Sequence, residues 1–306
     1  MNNNFPGGVW PVMLTPYNEK QEIDFNALKE LVDWYIKEGV SGLFAVCQSS
    51  EMFNLSLEER IELSRSVVKA AAGRVPVIAS GHISDSFEDQ VAEINEISKT
   101  GIDAMILITN RLAREDESDE IWLDNCKKLL KELKTDIPLG FYECPYPYKR
   151  LLSIENIKWC AETGRFFFLK DTCCDAEEIR QKLEAIKGSS LKLYNANSST
   201  LLESLRDGAT GYSGVMANFH PSLYAWLCKN YEKVKAEDLS DMLAITSLIE
   251  RQYYPVNAKY YLKTFENIPI STFSRVKEAS GLSETFKKEI AALNKISQKL
   301  IKQYLD

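Results

Sequence analysis

The sequence predicts an α/β fold, a (β/α)8 TIM barrel with a C-terminal helical extension. Three observations carry this. Short apolar runs rich in β-branched and aromatic residues alternate with longer amphipathic runs, eight of each, across residues 1–231. The strand runs are continuously apolar, as parallel strands buried on both faces are. No GxGxxG or GxxxxGK[ST] follows an early strand, so the marks of an open dinucleotide- or phosphate-binding sheet are missing. Alternation implies parallel strands with right-handed crossovers, and eight units suit a closed barrel.

The elements follow in order. The first strand is expected over Val9–Thr15 and its helix over Phe25–Glu38, ended by Gly39. Strand two covers Leu43–Gln48, and helix two, Leu57–Ala72, opens with Ser56 and Glu59 at capping-box spacing. Strand three, Val75–Gly81, leads to a helix over Ser86–Thr100; strand four, Ala104–Thr109, leads to one over Ser118–Lys134. Strand five spans Ile137–Glu143 before the helix Ile154–Thr163. Strand six, Phe166–Asp171, precedes the helix Ala176–Lys187. Within it Phe166, Phe168 and Lys170 are expected on one face. Strand seven, Leu191–Ala196, and strand eight, Gly211–Ala217, carry helices over Ser199–Asp207 and Ser222–Tyr231. Gly73, Gly101, Gly164, Gly188 and Gly208 fall just past helix ends, where a left-handed residue is wanted. Residues 232–306 break the pattern. Helices over Ala236–Arg251, Asn257–Phe265 and Glu284–Tyr304 read as an extension packed on the barrel, covering its flank or forming a subunit contact.

Composition narrows the function. A net charge of −7 argues against nucleic acid or an anionic membrane as partner. No apolar stretch approaches the ~18–20 residues of a membrane span. The opening MNNNFPGGVW lacks a basic segment followed by an apolar core, so no signal peptide is expected. Seven cysteines without a CxxC pair fit a reduced, cytoplasmic setting. Two histidines, His82 and His220, give little support to a zinc-dependent mechanism.

Barrel active sites sit at the C-terminal ends of the strands. Lys170 ends an aromatic strand there. Desolvation disfavours its charge, and a neutral amine attacks a ketone to form an iminium, an electron sink for carbon–carbon chemistry. Its bland alternative is a lysine reaching out to solvent. Tyr142 ends the neighbouring strand, about 4.8 Å away, within reach of a proton relay; alone it would read as a packed aromatic. Gln48 and Ser49 open the turn after strand two, whose amides and hydroxyls suit a carboxylate or simply bond their own backbone. Cys47, Cys144 and Cys173 read as small packed thiols. His82 reads as a hydrogen-bonded loop residue, Arg114–Glu117 as a solvated run, and the pairs Tyr253-Tyr254 and Tyr260-Tyr261 as packing or interface.

Several stretches together resemble the dihydrodipicolinate synthase / N-acetylneuraminate lyase family of class I aldolases. They are Gly8-Val9-Trp10-Pro11 through Tyr17, Leu57-Glu58-Glu59-Arg60, Gly73 to Ala79, Tyr142-x-x-Pro145, Lys170-Asp171-Thr172 and Gly208 to Asn218. The resemblance implies Lys170 as the Schiff-base residue, Tyr142 as the proton relay and Gln48-Ser49 as the keto-acid carboxylate site. Thr172, Ala196, Ser198 and Ser213 would complete the substrate pocket. It implies no cofactor and no metal, pyruvate or a related 2-keto acid with an aldehyde as substrates, and a homotetramer or dimer.

The departures are specific. Gln48 stands where the family has a hydroxyl. Thr109-Asn110-Arg111-Leu112 lacks the tyrosine that reaches a neighbouring subunit's site. Pro147 replaces the arginine that binds the second substrate's carboxylate, with Lys149, Arg150 and Arg111 as candidate substitutes. Ala196-Asn197-Ser198-Ser199 lacks the carboxylates that hold sialic-acid hydroxyls. The expected function is a pyruvate-dependent aldolase acting on a 2-keto-3-deoxy acid. Its alternatives are a keto-deoxy-sugar-acid dehydratase, a 4-hydroxy-tetrahydrodipicolinate synthase and a non-catalytic keto-acid-binding relative.

Overall fold

A computed structural model describes residues 5–305. Among these, eight parallel strands form one sheet: β1 Gly8–Val9, β2 Leu43–Phe44, β3 Val77–Ala79, β4 Ala104–Ile108, β5 Leu139–Tyr142, β6 Phe166–Asp171, β7 Lys192–Asn195 and β8 Gly211–Tyr212. Their order is β1-β8-β7-β6-β5-β4-β3-β2. The sheet closes where Val12 bridges Phe44: Met13 donates to the Phe44 carbonyl at 3.1 Å, and Phe44 to that of Pro11 at 3.1 Å. The result is a (β/α)8 barrel.

Several strands are shorter than the sequence suggested, for local reasons. Pro11 has no N–H to extend β1, so the chain leaves β8 after Trp10 bonds Tyr212 and turns to β2. Pro76 trims the start of β3 in the same way. Beyond β8, Val215–Asn218 winds into a 3-10 turn rather than more strand.

Eight helices alternate with the strands: α1 Phe25–Lys37, α2 Leu57–Ala71, α3 Phe87–Ser98, α4 Asp119–Glu132, α5 Ile154–Glu162, α6 Ala176–Ala185, α7 Leu201–Arg206 and α8 Pro221–Asn230. The capping box forms: Ser56 Oγ accepts from the Glu59 amide at 3.2 Å, and Glu59 accepts from the Ser56 amide at 2.9 Å. Ser86 and Ser118, expected inside their helices, are the caps instead.

One expectation on β6 is overturned. Phe166 and Phe168 do not share a face, because the β5–β6 register shifts between Leu139 and Gly140. This bulge leaves Phe167 as the extra residue and swings Phe166 outward, where it stacks on Phe141 at 4.5 Å between centroids. Phe168 stays inside, stacked on Tyr194 at 4.1 Å and edge-on to Trp10. Gly140 is required here: a Cβ would lie 2.6 Å from the Phe168 carbonyl oxygen. Trp10, Phe44, Phe168 and Tyr194 form an aromatic floor across the barrel.

The extension contains α9 Lys235–Thr246, α10 Val256–Phe265 and α11 Glu284–Tyr304. The helix expected to reach Arg251 tightens into a 3-10 turn over Ser247–Arg251. Glu51, buried in the loop after β2, ties the extension down. It accepts from Lys259 Nζ at 2.6 Å, Ser274 Oγ at 3.1 Å and the Arg275 amide at 2.6 Å. The Arg275 guanidinium meets both oxygens of Glu59, each at 2.7 Å.

Candidate active site

Residues Tyr142 and Lys170 are register partners on β5 and β6. Their side chains turn into the barrel mouth above the aromatic floor. Lys170 Nζ lies 4.2 Å from the centre of the Tyr142 ring and 6.0 Å from that of Phe44. Only 5% of Lys170 is exposed, and its amine forms no hydrogen bond or ion pair among the described residues. Desolvation pushes its pKa down to about 8, although Cys47, Cys144 and Glu250 pull the other way. At neutral pH roughly a tenth of such amines are uncharged, against fewer than about one in a thousand for an ordinary lysine.

The Tyr142 hydroxyl donates to Gln48 Oε1 at 3.4 Å, and the Cys144 thiol donates to the same oxygen at 3.7 Å. Burial holds the Tyr142 phenol well above its usual pKa. In the turn after β2 the Ser50 hydroxyl closes the loop, donating to the Cys47 carbonyl at 2.7 Å and accepting from its amide at 2.8 Å. That leaves Gln48 and Ser49 facing the space above Lys170.

This space is a cavity of about 730 Å³, of a size suited to small ligands. Lys170, Tyr142, Gln48, Ser49, Thr172 and Ala196 all line it. Ser198 and Ser213 stand outside its wall. Ser198 Oγ lies 2.6 Å from the Tyr224 hydroxyl and 3.3 Å from that of Tyr212. Ser213 is fully buried, and its neighbours Gly214 and Val215 reach the cavity instead. The Thr172 hydroxyl is committed to the Glu143 carbonyl at 2.7 Å.

None of the three candidate replacement cations lines the cavity. Lys149 donates to the Thr172 carbonyl, Arg150 pairs with Asp119 at 2.9 Å, and Arg111 pairs with Asp85 at 2.7 Å. The cavity draws other groups from the extension: Glu250, Tyr254, Arg275 and Lys277. Tyr254, read from sequence as packing or interface, is half-buried, and its hydroxyl accepts from Asn218 Nδ2 at 3.2 Å. No periodicity or motif marked Glu250; only the closing of the extension over the barrel brings it there.

Directly behind the two central residues lies a charged cluster. Glu143 follows Tyr142, and Asp171 follows Lys170. Lys182 on α6 reaches both, at 2.9 Å to Glu143 and 2.6 Å to Asp171, with all three side chains fully buried. Burial pushes the Glu143 carboxyl up, against the pull of Lys182. Burial alone would lower Lys182, but the two carboxylates together raise it. Glu143 also accepts from the amides of Leu152 at 2.9 Å and Thr172 at 3.0 Å, which locks the ends of β5 and β6 together.

The sequence profile of the dihydrodipicolinate synthetase family matches residues 5–275. Among curated relatives, the 4-hydroxy-tetrahydrodipicolinate synthase of Bacillus velezensis is 27% identical over 271 residues, covering 89% of each chain. Among solved structures, a dihydrodipicolinate synthase from Bacillus anthracis superposes with a TM-score of 0.85 at 20% identity, covering 95% of this chain and 98% of its own. The chloride-inhibited dihydrodipicolinate synthase of Acinetobacter baumannii, complexed with pyruvate, gives 0.84 at 20% identity over 96% and 99% of the two chains. At these identities the structural likenesses speak to the fold.

Proposed function

The chain belongs to the dihydrodipicolinate synthetase family, and from that premise we propose that it is a pyruvate-dependent class I aldolase, a lyase whose Lys170 forms a Schiff base with pyruvate or a related 2-keto acid. One observation carries the reading: a buried, unpaired amine with its pKa lowered to about 8 stands 4.2 Å from a tyrosine ring in a small cavity. The neutral amine of Lys170 attacks the keto carbon. Tyr142 passes a proton to the departing hydroxyl as the carbinolamine loses water. Gln48 holds the Tyr142 hydroxyl in place. Ser49 and the amides of its turn receive the keto-acid carboxylate. The resulting iminium stabilises the carbanion equivalent that joins to an aldehyde, or is released from one in cleavage of a 2-keto-3-deoxy acid.

A second reading, 4-hydroxy-tetrahydrodipicolinate synthase, is favoured by two Bacillus relatives of that name at 27% identity. Against it stands Pro147 in place of the family's arginine, with the guanidinium of Arg275 already held by Glu59. The aldolase reading includes a cytoplasmic setting, supported by seven free cysteines, and a homo-oligomer. No helix among the described residues is long and apolar enough to cross a membrane.

The test is consumption of pyruvate by purified protein in the presence of single aldehydes. Pyruvate loss that requires an aldehyde supports the aldolase. Turnover with aspartate semialdehyde at a useful rate, and with no other aldehyde, replaces it with the synthase. Loss of one water from an intact keto-deoxy sugar acid replaces it with the dehydratase.

A further inference from the structure

The wall opposite the family motifs comes from the extension, and its one carboxylate is Glu250. The 3-10 turn that carries it is held firmly. The Ile249 carbonyl accepts from Asn257 Nδ2 at 2.8 Å and from the Gln252 amide at 3.0 Å, and the Ile249 side chain is buried. Glu250 is half-buried, lines the same cavity as Lys170, and its carboxyl has no hydrogen-bond or ion-pair partner among the described residues. A carboxyl held in a cavity without a partner incurs desolvation that a ligand's hydroxyls can offset. Burial holds its pKa above the ordinary range, with Arg251 and Lys170 pulling it down.

The cations nearby do not neutralise it. Arg275 is engaged by Glu59, and Lys277 is exposed, 5.1 Å from the centre of the Tyr253 ring. Once Lys170 has become an iminium, Glu250 is the carboxyl that this wall offers to an incoming second substrate, and Lys277 is the wall's exposed cation. A carboxylate on that substrate would meet repulsion at Glu250, and a hydroxyl would meet an acceptor.

We propose that Glu250 is the specificity-determining residue for the second substrate, accepting hydrogen bonds from the hydroxyls of a neutral hydroxyaldehyde and disfavouring carboxylated aldehydes. The proposal rests on the aldolase reading above and names the substrate class for it. Tyr254, on the same wall, supplies a phenol beside it.

The experiment compares wild type with Glu250→Gln and Glu250→Ala. Each protein is given pyruvate with glyceraldehyde, propanal or glyoxylate, and kcat/KM is measured for each aldehyde. Borohydride trapping of the pyruvate adduct, run on every protein, reports the imine half separately. Wild type is expected to favour glyceraldehyde over both others. Glu250→Ala should cut the glyceraldehyde-to-propanal ratio by roughly ten- to a hundredfold, the worth of a hydrogen bond to a charged group. Glu250→Gln, which keeps an acceptor and removes the charge, should raise glyoxylate relative to glyceraldehyde. Equal use of glyceraldehyde and propanal by wild type overturns the assignment, as does an equal loss for all three aldehydes in both variants. A variant that loses the trapped adduct also overturns it, because Glu250 would then act on the imine. Failure of wild type itself to trap pyruvate removes the aldolase reading, and is distinguishable from every other outcome.

Discussion

Lys182 Nζ stands 2.6 Å from Asp171 Oδ2, both side chains without solvent exposure. Asp171 is the residue after Lys170, and the same ammonium reaches Glu143, the residue after Tyr142, at 2.9 Å. One cation thus joins the backbone beside the proposed nucleophile to the backbone beside the proposed relay. Positioning by a buried ion pair is costly to break, because removing one member strands the others.

Lys182→Met is therefore expected to destabilise the fold by roughly 3–5 kcal/mol, read from the midpoint of urea unfolding. A double change, Lys182→Met with Asp171→Asn, should recover part of that loss. A single variant as stable as wild type would mean that the cluster does not hold β5 to β6.

Schiff-base formation needs the uncharged amine of Lys170, whose pKa is lowered to about 8. The rate of adduct formation with pyruvate should rise about tenfold per pH unit below that value and level off above it. Stability should follow in sign. The folded chain gives up this proton at about 8, while the unfolded chain keeps it until near the ordinary lysine value, so Lys170 makes unfolding harder as pH rises across that window. Trapping rates from pH 6 to 10 check the first statement; a flat profile contradicts it.

Tyr142→Phe keeps the ring beside Lys170 and removes the hydroxyl. Adduct formation should slow by about two to four orders of magnitude, the range for loss of a proton relay, while the fold persists. Rapid-quench trapping measures this. A loss below about threefold would assign the relay elsewhere, with the Tyr254 hydroxyl next to be tested.

Glu51→Gln tests the tie between barrel and extension. Lys259, fully buried, would lose its charged partner, at a cost of roughly 3–5 kcal/mol. The segment 266–283, which contains Ser274 and Arg275, should become more open to limited proteolysis. Unchanged cleavage would mean that other contacts hold the extension in place.

The sequence made the barrel and its central pair legible for a physical reason. Parallel strands announce themselves as apolar runs, and a lysine or tyrosine at the end of such a run must lie at the catalytic rim. The strand lengths and the Phe166 face were misjudged because proline and a one-residue bulge act through pairing, which a single strand does not record. Gln48, Ser49, Thr172 and Ala196 were visible as strand-end residues. Glu250 and Tyr254 were not, since their place depends on an extension folding back over the mouth. The Glu143–Asp171–Lys182 cluster also stayed hidden. Its members lie on three elements, and charges in sequence read by default as solvated.

The account depends most directly on covalent capture at one lysine. Purified protein is incubated with pyruvate, reduced with borohydride, weighed intact and mapped by peptide mass. One reduced pyruvate adduct per chain, located on Lys170 and missing from Lys170→Ala, is the predicted result. No adduct on the wild-type chain, or an adduct on another lysine that survives Lys170→Ala, would contradict it.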